Sequence, residues 1–367
     1  MSSYNYHFKG EEELFTPALI YYEDLIERNL DIAHKTAGSY ERFWPHVKTY
    51  KSSSLVKMLQ ARGINRFKCA TIAEAEMCAI SSVPDILLSY PLVGPSIGRF
   101  IQLCKKYTSS VFWAIGDDLD QLSLLGQAAA KEGLKIPFLA DVNSGMDRTG
   151  VSTDKLVDFC INASKIEGLS LMGFHCYDGH IRNPEKDQRQ NIVDEEFERM
   201  NSIKKDLEAL GINLPYFVMG GSPTFPMHSK HSNVYLSAGT LFVQDHSYKD
   251  NFQDLEFIPA AAILCRVISR PQKNIFTVDL GHKAISADHD IRGIIVDYPE
   301  AKPLRHSEEH WVFSIDEEKC PDIGKTLFVI PSHICPTTIL YPGIHVVRNG
   351  ELSDYWDITA RDRKINI

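Results

Sequence analysis

A chain of 367 residues exceeds the roughly 250–300 residues over which one hydrophobic core keeps growing, so a large domain with a smaller companion is expected. The hydrophobic fraction of 44% and charged fraction of 24% are those of a globular protein, and no apolar run reaches the roughly 18 residues of a membrane span, which argues against a membrane partner. A formal charge of −9 without a basic block argues against nucleic acid and leaves a small molecule as the expected ligand.

Residues 1–16 (MSSYNYHFKGEEELFT) lack the apolar stretch of a signal peptide, and the eight cysteines are scattered without a CxxC pair, so a cytoplasmic protein with reduced thiols is expected. The stretch TPALIYYEDLIERNLDIAHKTAG reads as a strand and a helix, and the extreme N-terminus is expected to add a strand to the C-terminal domain. Short β-branched and aromatic runs then alternate with amphipathic stretches, the pattern of βα units. Eight strands are predicted: Phe43–Lys48, Arg66–Thr71, Asp85–Tyr90, Val111–Gly116, Ile136–Asn143, Leu171–Tyr177, Tyr216–Ser222 and Val234–Thr240. Helices are predicted at Ser53–Arg62, Ile72–Ser81, Ser96–Tyr107 and Glu195–Leu210, whereas PTFPMHSKHS makes a poor helix. No GxGxxG turn is present, so the α/β fold expected is a (β/α)8 TIM barrel over residues 17–250. Beyond it, AAILCRVISRP, NIFTVDLG, HWVFSI, KTLFVIP and IHVVRNGELSDYWDI read as strands, so residues 1–16 plus 251–367 are expected to form a mainly β domain.

Active sites of such barrels gather at the C-terminal ends of the strands. Lys48 ends the first strand, where a partly buried amine suits a Schiff-base nucleophile, although most lysines are simply solvated. Arg148, in DVNSGMDRTGV after the fifth strand, suits a phenolate or carboxylate oxygen or else an ion pair with Asp141 or Asp147. FHCYDGHIR offers His175, Tyr177, Asp178 and His180, with Tyr177 and His180 taken as the catalytic candidates. Gly220, Gly221, Ser222, Pro223 and Thr224 follow the seventh strand, while Gly239 and Thr240 end the eighth. Small residues at these ends let backbone N–H groups approach a phosphate. In PSHICPT, His333 and Cys335 lie two apart and would share one face of an extended segment, an incomplete metal site that suits zinc first and manganese or magnesium otherwise.

TPALIYYEDLIERNL, PHVKTYKS, RFKCATIAEAEMCA, SGMDRTGV, GFHCYDGH, GGSPTFP, SAGT, VDLGHKAIS, HSEEHW and PSHICPT together resemble, in order along nearly the whole chain, the D-threonine aldolase and D-serine dehydratase-like family, relatives of the alanine racemase type of pyridoxal-phosphate barrel. The resemblance implies that Lys48 carries pyridoxal 5′-phosphate as a Schiff base and that Arg148 faces its phenolic oxygen. Tyr177 belongs to the same pocket, while Gly221, Ser222, Thr224, Gly239 and Thr240 hold the phosphate. His333 and Cys335 would hold a divalent ion against the β-hydroxyl of a D-amino acid, and the assembly would be a homodimer. Two lyase reactions fit: β-elimination to a 2-oxo acid and ammonia, placed first because the HxC pair is dehydratase-like, and retro-aldol cleavage to glycine and an aldehyde, to which YDGH and GGSPTFP look closest. A racemase needs no metal and a non-catalytic cofactor carrier needs only the barrel, so His333 and Cys335 weigh against both.

Overall fold

The computed structural model of the chain describes residues 4–364 and Asn366. The chain divides into two compact units, one of His34–Gly239 with the tail from Asp362, the other of residues up to Ala33 with Thr240–Arg361. Numbered along the chain, β1 (Ala18–Tyr22) belongs to the second unit. The first holds β2 (Arg66–Cys69), β3 (Asp85–Leu88), β4 (Val111–Gly116), β5 (Ile136–Val142), β6 (Leu169–Cys176), β7 (Tyr216–Met219) and β8 (Val234–Leu236), parallel and adjacent in sequence order.

The first expected barrel strand is reduced. Phe43 bridges to Leu236 and His46 to Lys68, so the segment closes the ring between β8 and β2. Pro45 has no N–H to give a ladder, and Lys48 falls in a single 3-10 turn, Val47–Thr49, rather than at a strand end. The other expected strands stand where predicted, shortened at their C-terminal ends except for Val111–Gly116 and begun at Leu169 rather than Leu171 in β6. Helices fill the crossovers, with Thr71 and Asp118 accepting hydrogen bonds from the third residues of Ile72–Ile80 and Leu119–Lys131. The seventh crossover is only the one-turn helix Phe225–His228.

Inside the ring, Trp44, Leu87, Trp113, Ile115, Leu139 and Val218 pack into a fully apolar cluster, with Trp44 edge-on to Trp113 at 5.2 Å. Trp44 also donates its indole N–H to Phe67 O at 3.0 Å.

The second unit holds β9 (Ala261–Gln272), β10 (Ile275–Val278), β11 (Gly293–Ile295), β12 (Lys302–His306), β13 (Trp311–Ser314), β14 (Thr326–Pro331), β15 (Gly343–Arg348) and β16 (Glu351–Asp357). The order is β12-β13-β10-β9-β1-β15-β16, with β14 also on β9 and β11 on β14. All five residues of β1 are buried, as expected of a strand covered on both faces, and it runs antiparallel to β9 and parallel to β15. The units therefore divide at His34 and Gly239 rather than at residues 17 and 250, because strand Ala18–Tyr22 is claimed by the β sheet. Asn349 and Gly350 both take positive φ (52° and 73°), the mirror-image turn that joins β15 to β16. Among the described residues no helix is long and apolar enough to cross a membrane.

Candidate active site

In the barrel unit the polar side chains collect around Tyr177, just past β6. The amine of Lys48 lies 5.7 Å from the centroid of the Tyr177 ring, and the guanidinium carbon of Arg148 lies 4.9 Å from it. The turn that carries Lys48 is set by His46, whose Nδ1 accepts the Lys48 backbone N–H at 3.3 Å. Arg148 is exposed, and neither expected acid pairs with it. Asp141 Oδ1 instead holds His175 Nδ1 at 2.7 Å, and Asp147 accepts from Asn143 at 2.9 Å. The positive end of the Arg148 side chain is thus available to a ligand. A cavity lined by Asp141, Asn143, Arg148 and Tyr177 opens beside it.

The glycine ends are shaped by close backbone approach. A Cβ on Gly239 would lie 2.1 Å from His46 O, so only glycine allows the end of the eighth strand to press on the segment before Lys48. Gly220 takes φ 84° over the ring of His228, and Gly221 N–H donates to Thr224 Oγ1 at 3.2 Å. Ser222 and Thr224 are buried. A small-residue loop with buried hydroxyls, next to an arginine and a lysine that share one phenol ring, fits an aromatic aldehyde bearing a phosphate. The expected catalytic His180 is exposed and stands over Gly145.

Two buried groups, Lys68 and His228, were not singled out by the sequence, which offered Asp178 only as one of four candidates. Lys68, on β2, donates to Ser237 Oγ at 2.8 Å and lies 3.4 Å from His175 Nε2. Asp178 and His228 form a buried pair at 2.8 Å beneath the Gly220 turn. Burial is the largest influence and raises the Asp178 carboxyl, but the hydrogen bond and charge of His228, the Thr224 hydroxyl and a backbone N–H together outweigh it and hold the group below its ordinary value. The signal for Lys68 was its alternation between apolar Phe67 and Cys69, which turns it to the opposite face.

In the sheet unit His333 and Cys335 are not on an extended segment. His333 precedes a one-turn helix, Ile334–Thr338, which Thr337 secures by donating to His333 O at 2.7 Å. The turn still brings them together, with the Cys335 thiol hydrogen-bonded to His333 and 3.6 Å from Thr240 Oγ1. Thr240, expected as a phosphate ligand, thus has its hydroxyl at this thiol. Two further residues join the cluster: Asp288 Oδ2 lies 2.5 Å from His333 Nδ1, and Asp288, His289 and His333 each offer a ligand atom within 4.8 Å of the others. Burial alone would lower the His333 imidazole, but Cys335 and Asp288 outweigh it and raise the group to about 9. Two imidazoles and a carboxylate that lie together, with the Cys335 thiol beside one of those imidazoles, suit a borderline divalent ion such as zinc.

The family model of the alanine racemase N-terminal domain matches residues 23–243, and that of a putative serine dehydratase domain matches residues 260–347. The chain is 28% identical over 355 residues to the D-threonine aldolase of Arthrobacter sp, covering 94% of this chain and 92% of that one. It is 26% identical over 371 residues to the 3-hydroxy-D-aspartate aldolase of Paracoccus denitrificans, covering 96% and 94%. The solved D-threonine aldolase from Filomicrobium marinum superposes with a TM-score of 0.88 at 27% identity, over 96% of this chain and 97% of that one.

Proposed function

Since the chain belongs to the family of the alanine racemase N-terminal domain, the pyridoxal-phosphate enzymes of fold type III, we propose that it is a lyase of D-3-hydroxy-amino acids that uses pyridoxal phosphate and a divalent cation. One observation carries the reading: the amine of Lys48 and the guanidinium of Arg148 face the same Tyr177 ring beside glycine ends that a Cβ would block. Bound pyridoxal phosphate supplies an electron sink for the bonds at Cα. Lys48 supplies the amine that holds the cofactor and a base next to Cα, and Arg148 balances a phenolate. Gly221, Ser222, Thr224 and Gly239 leave room and donors for the phosphate. His333 and Cys335, with Asp288 and His289, hold a cation whose Lewis acidity lowers the cost of charge on a β-oxygen.

Elimination to a 2-oxo acid and ammonia comes first, on the thiolate in the ligand set. Retro-aldol cleavage to glycine and an aldehyde is the second reading, favoured by the two aldolases among the relatives. The assembly proposed is a homodimer in the cytoplasm. The test is to incubate the protein with D-serine, D-threonine and D-3-hydroxyaspartate, with and without a chelator, and to assay oxo acid, ammonia, glycine and aldehyde. Turnover that survives metal removal would sink the metal's part, and racemised substrate with no cleavage would sink the lyase. Lys48→Ala is expected to abolish the visible imine absorbance.

A further inference from the structure

The part given to Lys48 leaves a second amine of the barrel unexplained. Lys68 is 2% exposed, and among the described residues no carboxylate stands within ion-pair distance of it. Its two partners are the Ser237 hydroxyl and His175 Nε2, and Ser237 in turn donates to Gly220 O at 2.7 Å. His175 gives its Nδ1 hydrogen to Asp141, which leaves Nε2 as an acceptor facing Lys68. A lysine kept only for packing is normally solvated or matched to an acid, because an unmatched ammonium is costly to bury. Lys68 is neither. Its nitrogen and that of Lys48 each lie 5.7 Å from the centroid of the Tyr177 ring.

We propose that Lys68 is the proton-accepting partner of Lys48, a positioning residue that takes up the proton Lys48 must lose before its nitrogen can attack an aldehyde. The inference rests on the reading of Lys48 as the imine-forming residue. The step is balanced: one N–H bond of the Lys48 ammonium breaks, one forms on the neutral Lys68 amine, and the net charge is unchanged. Lys48 then adds to the aldehyde, water leaves and an imine remains. An ammonium is not a nucleophile, so an enzyme working near neutrality needs such an acceptor. Burial first, and then the Lys48 charge, push Lys68 down to about 7, against the opposing pull of Asp141 and Asp178 and with a smaller push from Arg148. The imidazoles facing it, His46 and His175, are both lowered by burial and so add no fixed positive charge at neutral pH.

The test is the rate at which imine absorbance appears when cofactor-free protein is mixed with pyridoxal phosphate, followed from about pH 6 to about pH 10 in the wild type, Lys68→Met and Lys68→Gln. The wild-type rate is expected to rise through an inflection near pH 7. In both variants that inflection should vanish, with the rate at pH 7 falling by about a hundredfold and recovering at high pH. Unchanged profiles in the variants would overturn the proposal, and so would a wild-type profile that rises only above about pH 9, which needs no variant to fold. Borohydride reduction and peptide mapping of the wild type separate the two ideas. Label on Lys48 is expected. Label on Lys68, or no imine at all, would remove the Lys48 reading itself.

Discussion

Glu196 is buried, with Oε1 lacking a hydrogen-bond partner among the described residues, and burial first, then Asp178, raise its carboxyl to about 7. The folded state therefore binds this proton more tightly than the unfolded chain, where a glutamate titrates near 4.3. Stability is fullest below that value and is lost as pH rises towards 7. Glu196→Gln keeps the shape without the charge, and should gain ~1–3 kcal/mol at pH 8 and almost nothing at pH 4. Urea unfolding at the two pH values checks this, and an equal effect at both would refute it. His333 works in the opposite sense for its ligand. Raised to about 9, it must shed a proton to bind a metal, so zinc affinity should fall as pH drops below 9, by about tenfold per unit. Calorimetry in buffers of different ionisation heats should find about one proton released per zinc at pH 7 from this imidazole. These two residues also mark a limit of reading a sequence. The HxC spacing announces His333 and Cys335, but Asp288 stands in another loop, and nothing local says that the fold returns its carboxylate to His333.

The long helix after β6 shows the same limit in an element. Apolar periodicity predicts it from Glu195, yet it runs over Lys186–Ala209. Its buried stripe is Arg189, Val193, Glu196, Phe197, Met200, Ile203 and Leu207, so two charged residues occupy inward positions and break the pattern that a hydrophobic count would follow. Arg189 does so for a purpose. Fully buried, it donates to Asn183 O at 2.7 Å, Pro184 O at 2.8 Å and Pro223 O at 3.2 Å, tying the helix start to the loop proposed to hold a phosphate. Arg189→Met would orphan these carbonyls, costing ~2–4 kcal/mol and weakening pyridoxal-phosphate binding. Thermal unfolding and a fluorescence titration of the cofactor measure the two effects, and an unchanged dissociation constant would detach the loop from this arginine. Val111–Gly116, by contrast, was legible to the residue, because its continuous apolar run suits a strand buried on both faces.

At the scale of the whole molecule, the order of βα units and the switch to β texture were readable, since both are patterns of neighbours in sequence. That the N-terminus adds a strand to the C-terminal sheet was readable too, but not that this strand is Ala18–Tyr22 itself, because its pairing with β9 and β15 is decided by partners far along the chain. Deleting residues 1–22 should therefore damage the sheet unit rather than trim a tail, removing a fully buried strand between two others. The truncated chain is expected to accumulate in the insoluble fraction. A soluble, cooperatively folded product by circular dichroism would contradict the central place given to ALIYY.

The same strand has a consequence during synthesis. Ala18 leaves the ribosome before Leu264, the residue it will lie against, has been translated, and at ~5–20 residues per second the interval is on the order of ten seconds or more. Throughout it, five apolar residues with open backbone edges are exposed to every other nascent chain nearby. Yield in a cell is then governed by how well this waiting segment is shielded, by a chaperone or by transient collapse onto its own helix, until the rest of the sheet arrives.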